Sequence, residues 1–207
     1  MIYWLVRWIA APLGKIIFKT KIIGKENIPK PPAIFAMNHS DHSDSVFVSM
    51  ITRKRVYFLV HYTALEPPFK TRYLVRLAKN VITKKEKGRS QETVDEVVRI
   101  LKKRKYFAIF PEGTIKGKNK MLKGHTGVAR IALQSKAPVV PIAIINNHGM
   151  WPDQTTIIPR MIKKVTIRIG NPLYFKEYYG QQNNRKITRK VTDRVMEEIK
   201  KLYKEGN

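Results

Sequence analysis

Four short apolar runs constrain the fold more than any other feature of this chain. AIFAM (33–37), RVYFLV (55–60), YFAIF (106–110) and PVVPIAII (138–145) are continuous or nearly so in apolar residues. At this length they read as strands rather than core helices. Continuous apolar strands, buried on both faces, belong to sheets that are at least partly parallel and covered on both sides. Helical patterns alternate with them. SQETVDEVVRILKKRK (90–105) places Val94, Val97, Val98 and Leu101 on one face. Ser90 is its expected cap, with Glu92, Asp95 and Glu96 early and Lys102 to Lys105 late, as the helix dipole favours. GVARIALQS (127–135) is a shorter helix, and VTIRIG (165–170) alternates like a half-buried strand. The tail ITRKVTDRVMEEIKKLY carries a stripe of Ile187, Val191, Val195, Ile199 and Leu202, which fits core packing better than membrane contact. The expected class is α/β: a single domain with a central, partly parallel sheet flanked by helices.

The N-terminus reads differently. MIYWLVRWIAAPLGKIIF is rich in Trp, Leu and Ile but is interrupted by Arg7 and Lys15. It falls short of the roughly 18 to 20 apolar residues that span a bilayer. No basic residue precedes the apolar stretch, so it does not resemble a signal peptide. Trp4 and Trp8 beside cations suit a helix lying in the headgroup plane. The expected organisation is a membrane-interfacial segment over 1–24, a core domain over 25–175 that begins at PKPP (29–32), and a basic amphipathic helix over 176–207 packed on it.

Charge narrows the partners. Lys plus Arg number 41 against 15 Asp plus Glu, a net +26. A Lys-rich proteome alone produces such a balance, but so does selection for an anionic partner: nucleic acid, anionic headgroups or a phosphorylated substrate. The basic residues are spread along the chain and no nucleic-acid recognition motif appears, so no nucleic acid is expected. There is no cysteine, which excludes disulfides and thiolate metal sites.

Ligands in α/β folds collect at the carboxyl ends of strands. Two polar stretches follow predicted strands: NHSDHSD (38–44) after AIFAM, and PEGT after the run ending at Phe110. The first holds His39, Asp41, His42 and Asp44. Three arrangements are open to it. A metal site needs three or more protein ligands, yet His61, His125 and His148 are scattered and unpaired in sequence. A general base needs a histidine whose Nδ1 is held by a carboxylate. His39 and Asp44 can meet only if His39 precedes the regular helix, since five helical residues separate side chains by about 140°. The third arrangement is a polar N-cap with no chemistry.

Four segments resemble, in order, the glycerolipid acyltransferases typified by 1-acyl-glycerol-3-phosphate acyltransferase. They are His39 to Asp44 as His, four residues, Asp; the stretch from His61 to Lys84 with Pro67 or Pro68 and NVITK; FPEGT at Phe110 to Thr114; and VPIAI at Val140 to Ile144. The resemblance covers roughly residues 25 to 175. It implies transfer of a fatty acyl group from an acyl thioester, on coenzyme A or acyl carrier protein, to a lysophospholipid hydroxyl. The expected acceptor is 1-acyl-glycerol-3-phosphate and the product phosphatidic acid, in phospholipid biosynthesis. It also implies His39 as base, Asp44 as its orienter, and no metal or cofactor. Asn38 and Ser40 shape the turn. Glu112, Gly113 and Thr114 line the acceptor site, with Lys84, Lys116 and Lys118 as phosphate contacts.

Two positions depart from the family pattern. Ile115 and Lys84 stand where the family carries arginines, so bidentate phosphate contacts are lost there. The expected setting is the cytoplasmic face of an anionic membrane, held peripherally or monotopically. The alternatives are an inactive lipid-surface binder of the same fold and a basic nucleic-acid-binding protein.

Overall fold

Strands β1 (Lys21–Ile23), β2 (Ala33–Met37), β3 (Val56–Val60), β4 (Val81–Ile82), β5 (Tyr106–Ile109), β6 (Val139–Ile145) and β7 (Thr166–Ile169) join in one sheet in a computed structural model. The order across it is β1-β7-β6-β2-β5-β3-β4. The structure describes residues 18–41, 43–60, 81–82, 91–115, 121–150 and 164–206. Strands β6, β2, β5, β3 and β4 run parallel, and β7 pairs antiparallel with β6. The expected α/β class with a partly parallel sheet is therefore observed. The expected N-terminal helix and Ser90 lie outside the described residues.

Helices cover both faces. On one face α2 (Gln91–Lys102), α3 (Gly127–Ser135) and α4 (Arg185–Lys204) pack over Ile34, Ala36, Phe107 and Ile109. On the other, α1 (Asp44–Ile51) presents Phe47, Val48 and Ile51 to Ala33, Phe35, Met37 and Ala108. Neighbouring residues of β2 and β5 thus alternate between two cores, which is why both strands read as unbroken apolar runs. All five residues of β2 and all seven of β6 are buried.

The tail helix settles the question its stripe raised. Val191, Val195, Met196 and Ile199 are buried in the core, with Ile187 partly buried against it. Asn184 caps the helix, its side chain accepting from the amides of Lys186 and Ile187. Ile199→Ala is expected to cost about 2–5 kcal/mol of stability in urea denaturation, by opening a cavity under the sheet. Partitioning into vesicles should not change, because this side chain faces protein.

Two strands were not anticipated. β1 and β4 have three and two residues, and short edge strands carry little periodic signal.

Candidate active site

β2 and β5 are adjacent and parallel, with Ala36 opposite Ile109. Their carboxyl ends therefore release NHSDHSD and FPEGT at the same edge of the sheet, although the motifs lie about 70 residues apart in sequence. Asn38 fixes the end of β2. Its amide nitrogen donates to the carbonyl of Ile144 at 2.9 Å, and its carbonyl accepts from the Ile144 amide at 2.8 Å. The side chain so continues the sheet ladder beyond Met37 and anchors the loop to β6. The same nitrogen also donates to Ser40 Oγ at 2.8 Å. Asn38 and Ser40 are therefore in contact within the turn.

The chain then runs through an irregular loop until α1 begins at Asp44. His39 precedes the helix, and the geometric condition for its meeting Asp44 is satisfied. Nδ1 of His39 lies 2.7 Å from Oδ2 of Asp44. The same oxygen accepts from the amides of Ser40 at 2.9 Å and Asp41 at 3.2 Å. The other oxygen, Oδ1, accepts from the side-chain amide of Asn147. A carboxylate offers about four lone-pair sites, and Asp44 meets four donors. Its carboxylate holds both His39 and the loop.

Asp44 is fully buried, while the His39 side chain keeps 20% of its surface accessible. Burial pushes the Asp44 carboxyl above the usual carboxylate range, opposed by its bonds to His39 and to the Asp41 and Ser40 amides. Phe110 completes the setting. Its ring stacks on the His39 imidazole with centroids 4.1 Å apart and planes 13° from parallel. One face of the imidazole is covered and Nδ1 is occupied, so Nε2 is the ring nitrogen left to meet a substrate.

The purely capping arrangement does not describe this loop. Ser43, at the N-cap, makes no side-chain cap bond. Asp41 Oδ1 accepts from the Ser43 amide at 2.9 Å, bracing the loop instead. His42 lies outside the described residues.

The FPEGT loop departs from its expected part. Glu112 is buried. Its Oε1 accepts from the His39 amide at 3.0 Å and its Oε2 from the Leu122 amide at 2.7 Å. Where an acceptor contact was expected, this carboxylate clamps the base-bearing loop to the segment that closes FPEGT. Gly113 adopts φ +71, the left-handed region open to glycine, and its amide donates to the Phe110 carbonyl at 3.1 Å. That amide is used by the turn itself. An added Cβ at Gly113 would approach His125 Cδ2 to 2.9 Å. Thr114 is exposed at the loop surface. Lys84, Lys116 and Lys118 lie outside the described residues.

Glu112→Gln is expected to destabilise the protein by about 1–3 kcal/mol, since one main-chain donor would face an amide NH2 in place of an acceptor. Chemical denaturation checks this. An unchanged midpoint would show that the clamp contributes nothing.

A histidine–aspartate pair thus stands at the carboxyl edge of a mostly parallel sheet, clamped by the glutamate of FPEGT, in the arrangement of a general base and its orienting carboxylate. The Acyltransferase family model matches residues 19–145, more than half of the chain, and the protein belongs to that family. It is similar to the 1-acyl-sn-glycerol-3-phosphate acyltransferase of Saccharomyces cerevisiae, 22% identical over 209 residues, covering 96% of this chain and 67% of the yeast protein. The enzyme of the same name from Limnanthes alba is 28% identical over 140 residues, covering 63% of this chain and 47% of the relative. That from Cocos nucifera is 27% identical over 120 residues, and the chain spans 39% of its length. The crystal structure of the 1-acyl-sn-glycerophosphate (LPA) acyltransferase PlsC from Thermotoga maritima superimposes with a TM-score of 0.66 at 24% identity, covering 94% of this chain and 80% of that one. At that identity the likeness establishes the shared fold.

Sequence reasoning missed Phe110 as a ring on the base, Glu112 as a clamp and Asn147 altogether. Asn147 lies in NNHG, a composition that reads as an ordinary turn. Nothing in that string distinguishes a solvated asparagine from a buried one.

Proposed function

We propose that the protein transfers a fatty acyl group from an acyl thioester to the free hydroxyl of a lysophospholipid, with 1-acyl-glycerol-3-phosphate as acceptor and phosphatidic acid as product. The observation that carries this reading is the His39–Asp44 contact of 2.7 Å, which leaves Nε2 without a hydrogen-bond partner among the described residues. In this scheme Nε2 takes the proton of the acceptor hydroxyl as its oxygen attacks the thioester carbonyl. The new C–O bond forms, the tetrahedral intermediate collapses, and the C–S bond breaks. The departing thiolate takes the proton back from the imidazolium. Asp44 stabilises that imidazolium and holds Nδ1 protonated. No metal or cofactor enters, and the donor is acyl-CoA or acyl carrier protein.

Lys84, Lys116, Lys118 and Thr114 are proposed to meet the acceptor phosphate. With Ile115 in the place of the family arginine, phosphate recognition rests on point charges rather than a bidentate fork. The net charge of +26 supports work at an anionic bilayer, where each Lys or Arg near the surface adds about 1 kcal/mol. Among the described residues no helix is long and apolar enough to cross a membrane. We place the enzyme peripherally or monotopically on the cytoplasmic face, with residues 1–24 at the interface.

The test is acyl transfer by purified protein in anionic vesicles, with labelled acyl-CoA and acyl carrier protein as donors. Lysophosphatidic acid, glycerol 3-phosphate and neutral lysolipids form the acceptor panel. Transfer to lysophosphatidic acid from either donor supports the reading. Preference for another acceptor would correct the substrate. No transfer from either donor to any acceptor would overturn it in favour of a lipid-surface binder.

A further inference from the structure

The dyad has a third member that comes from the far side of the sheet edge. β6 ends at Ile145, and Asn146 turns the chain with φ +67. A non-glycine residue in the left-handed region is uncommon, and asparagine is among the residues that tolerate it best. The turn carries Asn147 back over the strand ends. There it is buried, 1% exposed, and donates its side-chain amide to Asp44 Oδ1 across 103 residues of sequence. The Asn147 carbonyl accepts from the Met150 amide at 3.2 Å, closing the turn behind it. His148 Nδ1 lies 3.3 Å from the Ser40 carbonyl, a second contact between this turn and the histidine loop.

We propose that Asn147 is a positioning residue for the acyl transfer and that the working unit is a triad, His39–Asp44–Asn147. This rests on the reading of His39 as the base. The physical reason lies in the two oxygens of Asp44. The Ser40 and Asp41 amides and His39 all converge on Oδ2. Asn147 donates to Oδ1. It fixes the rotation of the carboxylate about its Cβ–Cγ bond, and so the line from Oδ2 to Nδ1. It also offsets part of the cost of an ionised carboxylate in a fully buried site. The other charged and titratable groups around the site are placed differently. Asp41 braces Ser43, Glu112 binds main-chain amides, and His148 is exposed.

Two variants separate shape from hydrogen-bond direction. Asn147→Asp keeps the shape and removes the donor, setting a second carboxyl against Asp44. Asn147→Ala removes both. Each is expected to lower kcat roughly 10- to 100-fold, the size of one hydrogen bond to a charged group, with KM nearly unchanged. Asn147→Asp should also move the acid limb of the pH–rate profile upward, because neighbouring carboxyls share a proton.

A readout independent of turnover is the downfield proton resonance of His39 Nδ1–H, measured by NMR on the full chain. It should be present in the wild type and shifted or lost in both variants. An unchanged resonance would overturn the inference. So would an Asn147→Asp protein with kcat within twofold of wild type. If wild-type transfer proves independent of His39, the functional reading fails instead. The resonance still tells whether Asn147 holds the pair.

Discussion

Acyl transfer by the His39→Ala protein is expected to fall by about 10² to 10⁴, the usual worth of a positioned general base, while binding to anionic vesicles stays at the wild-type level. The side chain is 20% exposed and packs on Phe110 by one face. Its removal should cost local stacking and leave both cores intact. Side-by-side turnover and vesicle sedimentation check the pair of outcomes. If the variant turns over as fast as the wild type, another group takes the proton. Loss of vesicle binding in parallel would mean that the substitution damaged the fold rather than the chemistry.

Asp44→Asn should separate catalysis from stability more sharply. In the serine-protease triad the same exchange lowers kcat about 10⁴-fold by favouring the wrong imidazole tautomer. A large loss in kcat, with KM little changed, is expected here as well, because a neutral amide beside Nδ1 cannot offset the imidazolium that forms on His39. Stability should move the other way. Burial raises the Asp44 carboxyl above its ordinary value of 3.8. Between that value and the raised one, the native state holds a proton that the unfolded chain has released. Stability therefore falls as pH rises through that window, and above it the whole burial cost is present.

An amide carries no charge to desolvate. Its oxygen can accept from Ser40 and Asp41, and Asn147 can rotate its own amide to accept in turn. Above that window the Asp44→Asn protein should melt at or above the wild-type temperature, with the gap closing as pH falls through it. Melting curves across pH beside kcat and KM check this. A loss carried by KM alone would contradict the orienting role. A large drop in melting temperature would show that the ionised carboxylate holds the loop together.

How much of this was legible in the sequence depends on the range of the interaction. Val94, Val97, Val98 and Leu101 announced one buried helix face, and all four are buried. AIFAM matched its strand residue for residue. The proximity of NHSDHSD and FPEGT was also legible, because parallel neighbours must release their loops at one edge. Within the first motif, spacing left a base with its orienting carboxylate open beside a metal site and a plain cap. The start of α1 at Asp44 permits the first, by leaving His39 in the loop that precedes the helix.

Periodicity and local motifs, which depend on neighbours in the chain, determined the α/β class, the main elements and the edge at which chemistry gathers. Only the tertiary structure decided what the polar side chains do there. Glu112 bonds His39 across 73 residues, Asn38 bonds Ile144 across 106 and Asn147 bonds Asp44 across 103. A buried polar group must find its partners wherever the fold brings them. Such partners are set by strand order and by the turns beyond it, which no local pattern of residue types encodes.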